Sequence, residues 1–310
     1  MSVTTHQQSP AHKSSCTVQP CRDDAQLREY INSYWRKDHV LARDPRMFDF
    51  TYRTPWVDSD RFPNGTSVLC VYDDDGEHGQ HGRLLGFLGS IMTPYPRKSS
   101  YWLALWHVLP ELKGTGLGGA LLRQMQQHAI DSNSWIGTFG AGPEAVPVYL
   151  KRGYMVRAVR RWIFDPQCDN PLASIESKNE AEVIPNEDWL RYRFDEHPIY
   201  SYQRDEHGVF RTESNEWGVV THCCKLWDNS EDSVHQVYEE GLGIAETASK
   251  PFLLDSWSYN CPGRGWKLAP EDLVSVFHPP QARGNLIYAS GYPFLPIAVT
   301  KGDCDQDRPN

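Results

Sequence analysis

The segment Pro110-Glu-Leu-Lys-Gly-Thr-Gly-Leu-Gly-Gly119 constrains this chain more than any other. It follows an apolar run, Tyr101 to Leu109, that reads as a strand. It leads directly into Ala120 to Ala129, residues that nearly all favour helix. Strand, glycine loop and helix in that order make an anion site, because unpaired N–H groups at a helix start converge on a phosphate and the macrodipole assists. Four glycines within Gly114–Gly119 keep side chains from holding a phosphate off the backbone.

The flanking pattern is α+β with a mixed sheet. Between Arg22 and Val40, Leu27, Ile31, Tyr34 and Trp35 recur at helical spacing, with Asp23 and Asp24 at the N-terminal end where the dipole favours them. Met47, Phe48, Phe50 and Tyr52 form a second apolar cluster. Ser67–Tyr72 and Arg83–Ile91 read as a hairpin around DDDGEHGQHG. After the loop come a strand from Trp135 to Ala141, a short helix from Glu144 to Arg152 ended by Gly153, and a strand from Arg157 to Phe164.

Composition bounds the function. With 310 residues the chain is long enough for about two domains, and 39% hydrophobic residues exclude wholesale disorder. The formal charge of -9 gives no general basic footprint, which argues against nucleic acid and requires local geometry to hold any anionic cofactor. The first twenty residues lack the apolar run of a secretory signal, and no stretch approaches the roughly 18 apolar residues of a membrane span. A soluble, cytoplasmic protein is expected. The 8 cysteines contain no C-x-x-C pair. His222, Cys223 and Cys224 fall on consecutive strand positions that point to opposite faces, so the thiols are expected to be reduced and structural, with no metal.

Two readings of the loop compete. Gly114, Gly116 and Gly119 satisfy G-x-G-x-x-G, and Glu144 could serve as a ribose-binding acid, which would make the chain a dinucleotide-binding oxidoreductase. Against this, Pro110–Lys113 separate the strand from the loop, and an antiparallel hairpin precedes it instead of a βαβ unit. The other reading rests on two motifs. Lys113-Gly-Thr-Gly-Leu-Gly118 resembles the R/Q-x-x-G-x-G/A pattern of the GNAT N-acetyltransferase superfamily, with Lys at the first position. Val108-Leu-Pro110 before it looks like that family's V-x-P, and Tyr149-Leu-Lys-Arg-Gly153-Tyr154 like its Y-x-x-x-G-F/Y.

That resemblance implies an acetyl-CoA-dependent N-acyltransferase fold over residues 21–166; the polar residues 1–20 before it read as a flexible tail. It implies that Lys113, Gly114, Thr115, Gly116, Leu117, Gly118 and Gly119 bind the pyrophosphate, that the Val108 backbone pairs with the pantetheine arm, and that Tyr149 protonates the departing thiolate. In that fold the first helix borders the acceptor cleft, which makes Trp35 and His39, one helical turn apart, candidate substrate contacts along with Trp106. Lys151-Arg152 and Arg160-Arg161 are basic candidates for the CoA phosphates. Strand alternation sets His107 opposite Trp102, Ala104, Trp106 and Val108, as an ordinary strand histidine, unless a bulge changes its face. Ordered water, His39 and Glu144 stay open as the base.

After a linker at 167–184, residues 185–310 read as a second α+β unit, ββαβ in order and a candidate degenerate GNAT-like copy, without a second glycine loop. Tyr200–Phe210 and Trp217–Trp227 read as strands, Glu231–Leu242 as a helix, and Pro251–Tyr259 and Gly284–Ser290 as strands. The acids of Asp303-Cys-Asp-Gln-Asp307 suggest calcium on spacing alone but lack the glycine and distal Glu of a binding loop, so a surface or seam-filling tail is expected. Trp35 with His39, Trp102–Trp106, Arg191–Tyr202 and Asp303–Asn310 are similar to two-domain GNAT proteins of bacterial surface-polysaccharide assembly, which implies an amino sugar or similar small amine as acceptor. A noncatalytic GNAT-like protein that binds CoA or a partner is the alternative.

Overall fold

A computed structural model describes residues 16–73, 82–94, 99–168, 186–205, 208–214, 218–226, 231–258, 262, 264–269 and 283–289. Cys16–Pro20 is the first strand, β1, and pairs antiparallel with β2, Val68–Asp73. This corrects the end of the expected tail, residues 16–20: β-branched Thr17 and Val18 extend the chain along the β2 edge. Helix α1, Asp24–Tyr30, starts where the Asp23 carboxylate accepts the N–H groups of Ala25 and Gln26. It passes into a π-helical turn, Ile31–Trp35, and stops at extended Arg36. The single helix expected from Arg22 to Val40 is therefore broken. Asp44 caps α3, Pro45–Tyr52, which follows the short α2, Val40–Arg43.

β3, Arg83–Thr93, pairs with β2 and with β4, Ser100–Val108. A 3-10 turn, Pro110–Leu112, and the glycine loop lead to α4, Leu117–Asp131. β5, Trp135–Phe139, then lies parallel to β4; α5 is Val146–Lys151 and β6 is Met155–Phe164. Gly153 has φ +80, the left-handed value expected at the end of the short helix. Leu121, Leu122, Met125 and Ala129 of α4 and Leu27, Tyr30, Met47, Phe48 and Tyr52 of the earlier helices join one buried core around the sheet.

The second half repeats this order in part. α6, Glu187–Leu190, again runs into a π-helical turn, Arg191–Asp195. β7, Gln203–Arg204, β8, Gly208–Ser214, and β9, Val219–Leu226, form an antiparallel run. α7, Glu231–Ala248, is followed by β10, Phe252–Ser258, parallel to β9 as β5 is to β4. Only Trp227-Asp-Asn-Ser230 separates β9 from α7, with no glycine. β11, Trp266–Leu268, and β12, Arg283–Ala289, follow.

All these strands share one sheet, ordered β1-β2-β3-β4-β5-β12-β6-β10-β9-β8-β7, with β11 beside β6. β12 lies antiparallel between β5 and β6, so a strand from the far end of the chain fills the middle of the first half. Two further features tie the halves together. The Tyr192 hydroxyl donates to the Phe50 carbonyl at 2.7 Å. On the sheet, buried Asp255 accepts from Arg161 at 2.6 Å and meets His222 Nδ1 at 2.6 Å, while His222 Nε2 reaches Glu213 at 3.2 Å and Glu213 pairs with Arg211. The expected linker from 169 onward, Cys261, Cys304 and the acidic end Asp303–Asn310 lie outside the described residues. Among the described residues no helix is long and apolar enough to cross a membrane.

Candidate active site

β4 determines the site. It pairs with β5 only at Ser100, Tyr101 and Trp102, yet remains paired with β3 as far as Val108. Thr138 Oγ1 donates to the Leu103 carbonyl at 3.0 Å, and beyond that point β4 continues from Ala104 to Val108 without β5 beside it. Strand edges left this way present unpaired N–H and C=O groups, which an extended ligand can take up.

A bulge divides the faces of β4. Gly89 faces Ala104 and Leu88 faces Trp106, which leaves Leu105 over, at φ 48. One extra residue exchanges the faces beyond it, so His107 shares a face with Trp102 and Ala104, while Trp106 and Val108 turn to the other. His107 meets α1 and its π-helical turn: the Tyr30 hydroxyl is 3.0 Å from Nδ1, and the Trp35 ring stands edge-on at 5.6 Å. Trp106 lies against α4 and α5, where a Cβ on Gly118 would be 3.3 Å from Trp106 Cζ2 and the Tyr149 ring is 5.7 Å away. The expectation that His107 lies opposite Ala104 and that the tryptophans share one wall is thus overturned by the bulge.

The loop is built by backbone. Thr115 N–H and Oγ1 both donate to the Leu112 carbonyl, at 3.2 and 2.7 Å, and fold the chain after Lys113. Gly114 and Gly116 have φ +82 and +91, where a side chain is strained, and Gly116 caps α4 with no side chain to offer. The first intrahelical bond runs from Ala120 N–H to Gly116 O, so the N–H groups of Leu117, Gly118 and Gly119 lie ahead of it at the positive end of the dipole. Arg152 donates to the Gly119 carbonyl at 3.3 Å and brings a guanidinium to the same turn.

Other expected residues separate from this group. His39 is buried, caps α2 by accepting the Leu41 N–H at 3.2 Å, and lies past the end of the first helix, so the pairing with Trp35 on one helical face is lost. Trp35 keeps 41% of its surface exposed. Glu144 lies in the exposed turn before α5. Tyr149 is buried between Trp106 and Tyr154. Burial, and then Lys113, lower the His107 pKa, which leaves the imidazole neutral near pH 7. Tyr30 was missed: it precedes Ile31, outside the repeat of Leu27, Ile31, Tyr34 and Trp35, and nothing in the sequence signals a hydroxyl aimed at a histidine.

Residues 25–154 match the model of the acetyltransferase (GNAT) family. Among solved structures, a putative acetyltransferase from Pyrococcus horikoshii superposes over 98% of this chain and 99% of its own, with TM-score 0.53 at 9% identity. A GCN5-related N-acetyltransferase from Anabaena variabilis covers 88% of this chain and 72% of its own, with TM-score 0.51 at 11% identity. At such identities the likeness is one of fold. The chain spans 39% of the fungal multi-domain GH3 β-N-acetylglucosaminidase that carries a glucosamine N-acetyltransferase region, at 13% identity and TM-score 0.47. No curated protein matches the chain.

Proposed function

We propose, from the match of residues 25–154 to the model of the acetyltransferase (GNAT) family, that the chain transfers an acetyl group from acetyl-CoA to the primary amine of a small molecule, an amino sugar being the favoured class, in the cytoplasm. The observation that carries this reading is the parting of β4 from β5 beside a loop whose glycines hold left-handed backbone. The backbone N–H groups of Gly114 and Gly116 to Gly119 take the pyrophosphate, that of Thr115 being held by the Leu112 carbonyl, which explains how a chain of charge -9 holds an anion. Lys113 and Arg152 add positive charge at that end. The open edge of β4 through Val108 takes the pantetheine arm, and a backbone N–H there faces the thioester oxygen as charge develops on it.

The amine nitrogen attacks the thioester carbon, the new N–C bond forms, and the C–S bond breaks with its electron pair on sulfur. His107 accepts the proton that the amine loses and releases it to solvent before the next turnover. Tyr149 supplies the proton that the thiolate takes, and regains one from solvent. Trp35, beside His107, gives the acceptor an apolar wall, and Trp106 serves the CoA side instead. The order of elements in the second half supports a GNAT-like unit at 185–310 that has no loop of its own and shapes the acceptor side.

Incubating the full chain with acetyl-CoA and a panel of amino sugars, polyamines and arylalkylamines, and following free thiol, tests this reading. Turnover with at least one amine is expected. CoA binding without turnover across the panel would establish the noncatalytic alternative, which the burial of Tyr149 favours.

A further inference from the structure

The Tyr30 hydroxyl has two partners, the Leu85 carbonyl at 3.1 Å and His107 Nδ1 at 3.0 Å. A phenol carries one proton. Both contacts are hydrogen bonds only if Tyr30 donates to Leu85 O and accepts from a protonated Nδ1; the reverse arrangement gives up the bond to Leu85. Tyr30 is 3% exposed, its ring is held edge-on by Phe87 at 5.7 Å, and the Leu85 carbonyl is fixed by the Leu109 N–H at 3.0 Å. Among the described residues nothing hydrogen-bonds His107 Nε2, and the ring is half-buried beside the exposed Trp35.

We propose that Tyr30, anchored on the Leu85 carbonyl, locks His107 in the tautomer protonated at Nδ1 and so presents the Nε2 lone pair to the acceptor amine. Tyr30 is a positioning residue: it joins the β3 backbone to the β4 histidine through α1, and the bulge at Leu105 brings the two rings together. The groups that bear on this pair are Tyr34 beside Tyr30, Lys113 near His107, and Glu111, Arg83 and Cys70 near Tyr30. Burial first, then Glu111, raises the Tyr30 pKa and keeps its proton in place. When the amine gives its proton to Nε2, the imidazolium keeps its Nδ1–H on Tyr30, so the ring need not turn over during the reaction.

The role rests on the acetyltransferase reading, but the tautomer can be measured without it. Full-length protein labelled with 15N-histidine is examined by long-range 1H–15N correlation at pH 7.5, with His107 identified by loss of its signal in His107→Gln. A protonated Nδ1 and unprotonated Nε2 are expected, shifting toward the Nε2-protonated form in Tyr30→Phe. With an active acceptor in hand, Tyr30→Phe lowers kcat by on the order of 10- to 100-fold, within what a general base supplies, while KM for acetyl-CoA stays unchanged. A wild-type His107 protonated at Nε2 overturns the proposal even if Tyr30→Phe fails to fold, and so does a tautomer that Tyr30→Phe leaves alone. Absence of turnover with any amine refutes the activity and leaves the tautomer result standing.

Discussion

Replacing Asp255 by Leu removes the one carboxylate in reach of both Arg161 and His222 among their described contacts, at 2.6 Å from each. Asp255 is fully buried and Arg161 is 5% exposed. Removing one partner of such a pair costs about 3–5 kcal/mol, because the remaining charge stays in a medium that solvates it poorly. The sheet is continuous across β6, β10, β9 and β8, so the loss is felt in the unfolding of the whole molecule. At roughly 2.1 cal/mol/K of unfolding entropy per residue over the chain, that loss lowers Tm by about 5–8 °C. Thermal and urea unfolding followed by circular dichroism measure it. Arg161→Met and the double variant complete a cycle, and the double variant should be more stable than the sum of the single losses implies by about 1–3 kcal/mol. A loss below about 1 kcal/mol for Asp255→Leu, or simple additivity, would refute the claim that this pair fastens the second half to β6.

Gly116→Glu should abolish CoA binding by calorimetry, while Gly116→Ala, whose Cβ meets nothing within 4 Å, should cost about 1–2 kcal/mol of stability from its left-handed backbone alone. Tyr149→Phe should lower turnover and leave CoA affinity nearly intact; an unchanged rate removes Tyr149 as the acid. The kcat/KM profile should lose activity on the acid side with a midpoint below the ordinary histidine value of 6.5, since burial and Lys113 both disfavour the imidazolium. Glu213, held down to about 2 chiefly by its hydrogen bond to His222, contributes stability that is complete above 4.5 and lost as pH falls toward 2; acid unfolding of Glu213→Gln against the parent chain reads this as a flatter dependence across that window.

The elements carried by local chemistry were legible in the sequence. Gly114–Gly119 marked a backbone-built helix start, and two apolar runs around the turn residues DDDGEHGQHG marked the β2–β3 hairpin, because in each case neighbouring residues decide the outcome. What distant partners decide was not legible. No residue of β4 announces that Leu105 is the one left over; the register against β3 sets it, and it alone moves His107 to the side of Tyr30. The first helix shows an unbroken apolar spacing through Trp35, yet a π-helical turn ends it there and sends His39 to cap the next helix. β12 reads correctly as a strand, but its partners lie more than a hundred residues earlier.

The position of β12 also governs how this protein is made. A ribosome that has finished β6 must add about 120 residues before β12 exists, which takes on the order of 6–24 s. Through that interval β5 and β6 lack the strand that finally separates and pairs them. Until then the half of the chain with the glycine loop lacks one strand of its finished sheet, and the β5 and β6 edges that β12 covers have no such partner.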